Sequence, residues 1–295
     1  MKMLVHIFGA KDSPTCANYA VKRTARDNQH LFDPLTFETA LKAFYVDDLL
    51  KSVDSEAVAI TLSKELIKMM KCGGFDLTKF MSNSQTVLES LPESAISPKM
   101  KLDLDTENIQ RALGISWDVN SDRFVFSLKL PEAPHTKRGI VRVTCSFFDP
   151  MGFLAPFILV AKLLVQELWR RGFGWDEEID EEAANVWKKW LKVAENVTKV
   201  YVDRCFSSTF EDPFVEVQLH IFSDASEAAY GSVAYFRFSF KAGGHACKFA
   251  FSKSKLAPLK AITLPRLELN AAVTGVRMYK MVIRETDLPV ERIPD

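Results

Sequence analysis

The chain has 295 residues, 47% of them hydrophobic, which is enough apolar material for about two domains with buried cores. Its 38 basic and 38 acidic side chains cancel, and this excludes whole-molecule attraction to nucleic acid or anionic membrane, so any basic groove is local. Five scattered cysteines, Cys16, Cys72, Cys145, Cys205 and Cys247, form no C-x-x-C pair, which argues against a disulfide framework or structural zinc and for an intracellular, reducing setting.

Met1 to Phe8 reads as a strand, so the chain is expected to begin inside a larger domain. Gly9, Asp12, Ser13 and Pro14 form a turn that opens a helix over about Thr15 to Asn28. Ala40 to Val53 reads as two short strands joined by a tight acidic turn at Val46-Asp47-Asp48. Val58, Leu62, Leu66, Met69 and Met70 recur at helical spacing between Ser55 and Lys71, and Gly73-Gly74 supplies the stop.

Phe75 to Phe80, Gly114 to Trp117, and Phe124-Val125-Phe126 with Leu128 and Leu130 read as short strands. Thr136 to Trp190 turns helical, punctuated by Asp149-Pro150, Gly152 and Pro156, and carries an acidic run from Asp176 to Glu182. The most apolar stretch, Phe153 to Val165, is broken by Pro156 and Lys162 and falls short of the roughly 20 residues of a membrane span. Met1 to Ala10 lacks a secretory hydrophobic run. From Phe214 strands return at Leu219 to Phe222, Ser232 to Phe240 and Ala246 to Phe251, before a helix from about Pro265 to Arg284.

Phe44-Tyr45-Val46-Asp47-Asp48-Leu49-Leu50 is the sharpest chemical feature, because two carboxylates at a hairpin tip can hold divalent cations that polarise a phosphate. Alone it is a weak signal, since Asp pairs are common in turns for backbone reasons. The heptad resembles the Tyr-x-Asp-Asp hairpin of reverse transcriptase palm domains, and Val5 to Asn18 resembles the strand and helix before it. Lys79 to Ser84, Leu113-Gly114-Ile115-Ser116-Trp117-Asp118, Thr136-Lys137-Arg138 and Phe148-Asp149-Pro150-Met151-Gly152-Phe153-Leu154-Ala155-Pro156 are similar to the polyproteins of Pao/BEL-type LTR retrotransposons. So are Leu168-Trp169 and Trp175-Asp176-Glu177.

That resemblance covers nearly the whole chain and implies an α+β architecture in three parts: the C-terminal part of a palm (1–120), a mostly helical thumb or connection region (121–212) and the beginning of an RNase H-like α/β domain (213–295). It implies RNA-directed DNA synthesis by two metal ions, magnesium with manganese as an alternative. Asp47 and Asp48 are the metal ligands, and Tyr45 lies near the primer terminus. The partners it implies are an RNA or DNA template-primer, dNTPs and the rest of the polyprotein, with no membrane.

His220-Ile221-Phe222-Ser223-Asp224-Ala225-Ser226 and Leu264-Pro265-Arg266-Leu267-Glu268-Leu269-Asn270-Ala271-Ala272 resemble the first strand and first helix of an RNase H-like domain, with Asp224 and Glu268 as catalytic metal ligands. Ala271, Ala272 and Gly275 would let that helix approach the sheet closely. Otherwise Asp224 is a strand-end turn residue, and Glu268 a solvated carboxylate favoured by the helix dipole.

Lys137 and Arg138, with Arg142, either contact template-primer phosphates or form a solvated helix face. Trp187 and Trp190 match a buried stripe, while His245-x-Cys247 reads as an exposed turn histidine beside a buried strand cysteine. Each metal site is expected to be short of a carboxylate: the palm of one on an earlier strand, the nuclease of one on a later strand, since Asp287, Glu291 and Asp295 lie in a tail without strand character. The chain is thus expected to catalyse neither reaction alone. The competing reading is a non-catalytic nucleic-acid-binding or interaction remnant of a retroelement.

Overall fold

A computed structural model describes residues 11–97, 109–112, 115–126, 130–206 and 213–290. The expected strand at Met1 to Phe8, Leu113-Gly114, Leu128 and Glu291 to Asp295 lie outside the described residues. The fold mixes helices and sheets in two compact units, divided between Asp122 and Arg123.

In the first unit, α1 (Ser13–Asp27), α2 (Pro34–Lys42) and α3 (Glu56–Cys72) enclose a core of Ala25, Ala40, Leu66, Met69 and Met70. Ser55 caps α3 by accepting from the Val58 amide, and Gly74 takes φ +79° just past its end, where a left-handed residue closes a helix with least strain. Val58 is 38% exposed, off the core stripe. α2 was not anticipated, and Ala40 belongs to it rather than to a strand. Asp33 accepts from the Leu35 amide and Pro34 occupies the first turn, a strong start signal. Thr36 then donates to Glu65 at 2.6 Å, tying α2 to α3.

The expected hairpin follows, with β1 (Phe44–Tyr45) antiparallel to β2 (Asp48–Leu49). Phe75 to Phe80 is not a strand. Lys79 takes φ +61°, which breaks extended geometry, and only Phe80 pairs, through a parallel bridge to Ile96. Short α4 (Gln85–Glu89) and the pair β3 (Ile109–Ala112) and β4 (Ile115–Asp118) complete the unit.

The second unit runs from Arg123 to Asp295. β5 (Arg123–Val125) pairs antiparallel with β6 (Tyr201–Asp203). Helices α5 (Lys137–Thr144), α6 (Ala155–Arg170) and α7 (Glu181–Ala194) share a core in which Trp190 stacks between Phe157 and Trp187, with ring centroids 4.5 and 4.8 Å away. The tryptophan stripe is buried as expected. Among the described residues no helix is long and apolar enough to cross a membrane.

β7 (Phe214–Ala225), β8 (Ala229–Phe240) and β9 (His245–Leu256) form an antiparallel meander, and α8 (Leu264–Glu285) crosses one face of it. All three strands outrun their hydrophobic alternation, because ladder pairing carries polar ends such as Ser252 to Lys255 into the sheet. Cys247 is exposed rather than buried. Beyond α8, Val290 makes a single isolated bridge, parallel to Val217 on the edge strand β7, with no further strand among the described residues.

Candidate functional site

The meander and α8 are fastened by a chain of small polar groups. Ser223 on β7 and Ser232 on β8 face each other in register, with their hydroxyls 2.9 Å apart, and Ser232 donates to the Ala271 carbonyl of α8 at 2.9 Å. A Cβ on Gly275 would stand 2.5 Å from Ser223 Oγ, so the helix lies as close as a backbone can. Close approach was expected from Ala271, Ala272 and Gly275. Ala271 and Gly275 provide it, with Thr274 in place of the exposed Ala272.

Asp224 is the residue after Ser223, and Glu268 lies one helical turn before Ala271, so the two carboxylates bracket this serine bridge; both are exposed. Strand alternation nevertheless turns them differently. Ile221 and Ser223 meet α8, whereas Phe222 and Asp224 present to the opposite face of the sheet. No three Asp, Glu, His or Cys side chains among the described residues converge into a set able to hold a metal.

On that opposite face lies a cleft of about 390 Å³, lined by Phe222, Asp224, Val233 and Ser254 and walled by Pro156 and Leu159 of α6. A clasp that sequence reading missed positions the wall. Asp149 accepts from the amides of Gly152 (3.0 Å), Phe153 (2.9 Å) and Leu154 (2.6 Å), satisfying donors ahead of α6. Ser252 on β9 donates its hydroxyl to the Gly152 carbonyl and its amide to the Met151 carbonyl. Burial pushes the Asp149 carboxyl above its ordinary value, against the opposing pull of the three amides and Lys162. An aromatic row, Phe153 to Phe249 to Tyr235 to Phe222, continues the contact across the sheet at centroid spacings of 4.7, 5.8 and 6.4 Å. The turn at Asp149-Pro150 was legible, but Ser252, which binds Gly152, lies 100 residues beyond that glycine.

The hairpin of the first unit presents Tyr45 (66% exposed), Asp47 and Asp48 to solvent. Tyr45 pairs with Asp48, leaving Val46 and Asp47 as the turn. Val46 takes φ +56°, a left-handed conformation that a β-branched residue adopts only under strain. Neither carboxylate has an ion pair among the described residues, and their hard oxygens suit a divalent cation as part of a larger ligand set.

Lys137 is not available to phosphates. It is 1% exposed, donates to the Phe173 carbonyl and lies 3.5 Å from the Trp169 ring centroid, because Trp169 and Trp175 close over it. Arg138 is exposed, and its charge is matched by a two-bond pair with Asp176 at 2.6 and 2.9 Å, which holds the Asp176 carboxyl below its ordinary range. His245 binds Ser239 and Arg237.

A three-stranded antiparallel meander followed by a helix laid across one face is the order in which an RNase H-like α/β domain begins. The family model of the Pao retrotransposon-like RNaseH-like domain matches residues 136–294, and the chain belongs to that family. The match includes α5 to α7 as well as the sheet. No curated protein matches the sequence.

Proposed function

We propose that the chain is part of a Pao-type retrotransposon polyprotein, in which the first unit carries the C-terminal part of a reverse transcriptase palm and the second an RNase H-like nuclease. The observation that carries the reading of the second unit is the family match over residues 136–294, joined to a meander and helix of the matching order, while the palm reading of the first unit is supported by the Tyr45-Val46-Asp47-Asp48 hairpin. In it Asp47 and Asp48 hold polymerase cations, Tyr45 meets the primer end, and Asp224 and Glu268 hold nuclease cations, reaching them from opposite sides of the sheet end, since Asp224 presents to the face away from α8. Magnesium, when bound, would polarise the phosphate and activate the attacking oxygen. The chain's own residues supply carboxylate oxygens, and they fix their positions through the Tyr45–Asp48 pair and the Ser223–Ser232–Ala271 bridge.

Two carboxylates make only part of such a shell, so further ligands must come from outside the described residues. Primer extension and RNA–DNA hybrid cleavage, run with this chain and with a longer polyprotein segment, test the reading. Activity in the longer protein, with extension lost in Asp47→Asn and cleavage lost in Asp224→Asn, is the expected result. Silence of the longer protein in both assays would favour the remnant reading.

A further inference from the structure

We infer that the cleft between Phe222 and the first turn of α6 receives a base of the bound nucleic-acid strand, stacked on Phe222 beside the phosphate that Asp224 serves. The inference rests on the nucleic-acid reading above and adds a specific contact to it. Phe222 is 60% exposed although it is paired within the β7–β8 ladder, opposite Val233. Its ring meets Tyr235 edge to face, at 68° and 6.4 Å, so a ring face is left open to the cleft. Asp224 is two residues further along the same face, a separation of about 6.8 Å along a strand, which suits a base and its neighbouring phosphate.

Gly231, paired with Asp224, adds no side chain there, so a ligand can approach the backbone. Pro156 and Leu159 supply the apolar opposite wall, held by the Asp149 and Ser252 clasp. Among the described residues the one cation lining the cleft, Lys253, pairs with Ser232 and so belongs to the α8 face. A free nucleotide would therefore set its terminal phosphate against Asp224 with no cradle, whereas a strand carries its phosphates on past the cleft.

The test uses the full chain and an RNA–DNA hybrid labelled with fluorescein for anisotropy, in calcium, with a second hybrid carrying 2-aminopurine. Phe222→Leu should weaken binding at least about five-fold and abolish 2-aminopurine quenching. Phe222→Trp should retain both, and Leu269→Ala, at an exposed site on α8, should change neither. Thermal melts of each variant separate loss of contact from loss of fold. Hybrid binding by Phe222→Leu equal to that of the unaltered chain overturns the stacking contact and leaves the nucleic-acid reading standing. Failure of the unaltered chain to bind either hybrid overturns both, and Phe222-dependent competition by AMP overturns the strand as occupant.

Discussion

Ser252 donates its hydroxyl to the Gly152 carbonyl at 2.6 Å, and a Cβ on Gly152 would stand 2.2 Å from the Ser252 carbonyl oxygen. Gly152 also takes φ +82°, so a side chain is opposed both by backbone conformation and by a backbone neighbour that cannot swing away. Gly152→Ala should cost about 2–4 kcal/mol in denaturant unfolding, and Ser252→Ala about 1 kcal/mol.

Asp149 gives the same junction a pH signature. Its folded pKa is raised, chiefly by burial, so between the unfolded carboxylate value and the folded one the native state binds more protons than the unfolded state. Its contribution is therefore full below the unfolded value and declines as pH rises through the folded one. Stability of the unaltered chain minus that of Asp149→Asn, from urea midpoints, should shrink from acid toward neutral pH; a gap that widens over that range would contradict this.

Lys137 should behave as a core residue. Lys137→Met keeps the stem but loses the ring contact and leaves the Phe173 carbonyl unpaired, at a cost of about 1–3 kcal/mol. The salt dependence of nucleic-acid binding should stay unchanged, since no phosphate contact is removed.

The hairpin tip predicts an opposite sign. Val46 at φ +56° is strained, and Val46→Gly should stabilise the chain by about 1 kcal/mol, net of the added freedom of glycine when unfolded. Denaturant midpoints measure it.

Gly275→Ala would force its methyl to within 2.5 Å of Ser223 Oγ and should cost about 1–3 kcal/mol. Adding Ser223→Ala should recover part of that loss, and a double-mutant cycle reads the coupling.

α3 was legible because its apolar period and both end signals agree locally. α2 carried a start signal in Asp33-Pro34, but its polar middle, Thr36 to Thr39, hid the period. Lys137 misled for a different reason: a basic residue opening a helix looks solvated until Trp169 and Trp175 fold over it from 32 and 38 positions away. Asp224 and Glu268 were legible as residue types in a family pattern. Which face of the sheet each one serves depends on ladder register and on Gly275, which local sequence does not encode.

The second unit has two separate hydrophobic interiors, one among α5 to α7 and one beneath α8. Links between them include the Asp149 and Ser252 clasp, the bond from Gln166 to the Ala257 carbonyl and the ring contact of Phe153 with Phe249. Links of this kind are weaker than either interior, so the seam is where the unit can open without melting. Amides of the helices and of the meander should then report two distinct opening energies in native-state hydrogen exchange, and the cleft beside Asp224 would breathe with the weaker of them.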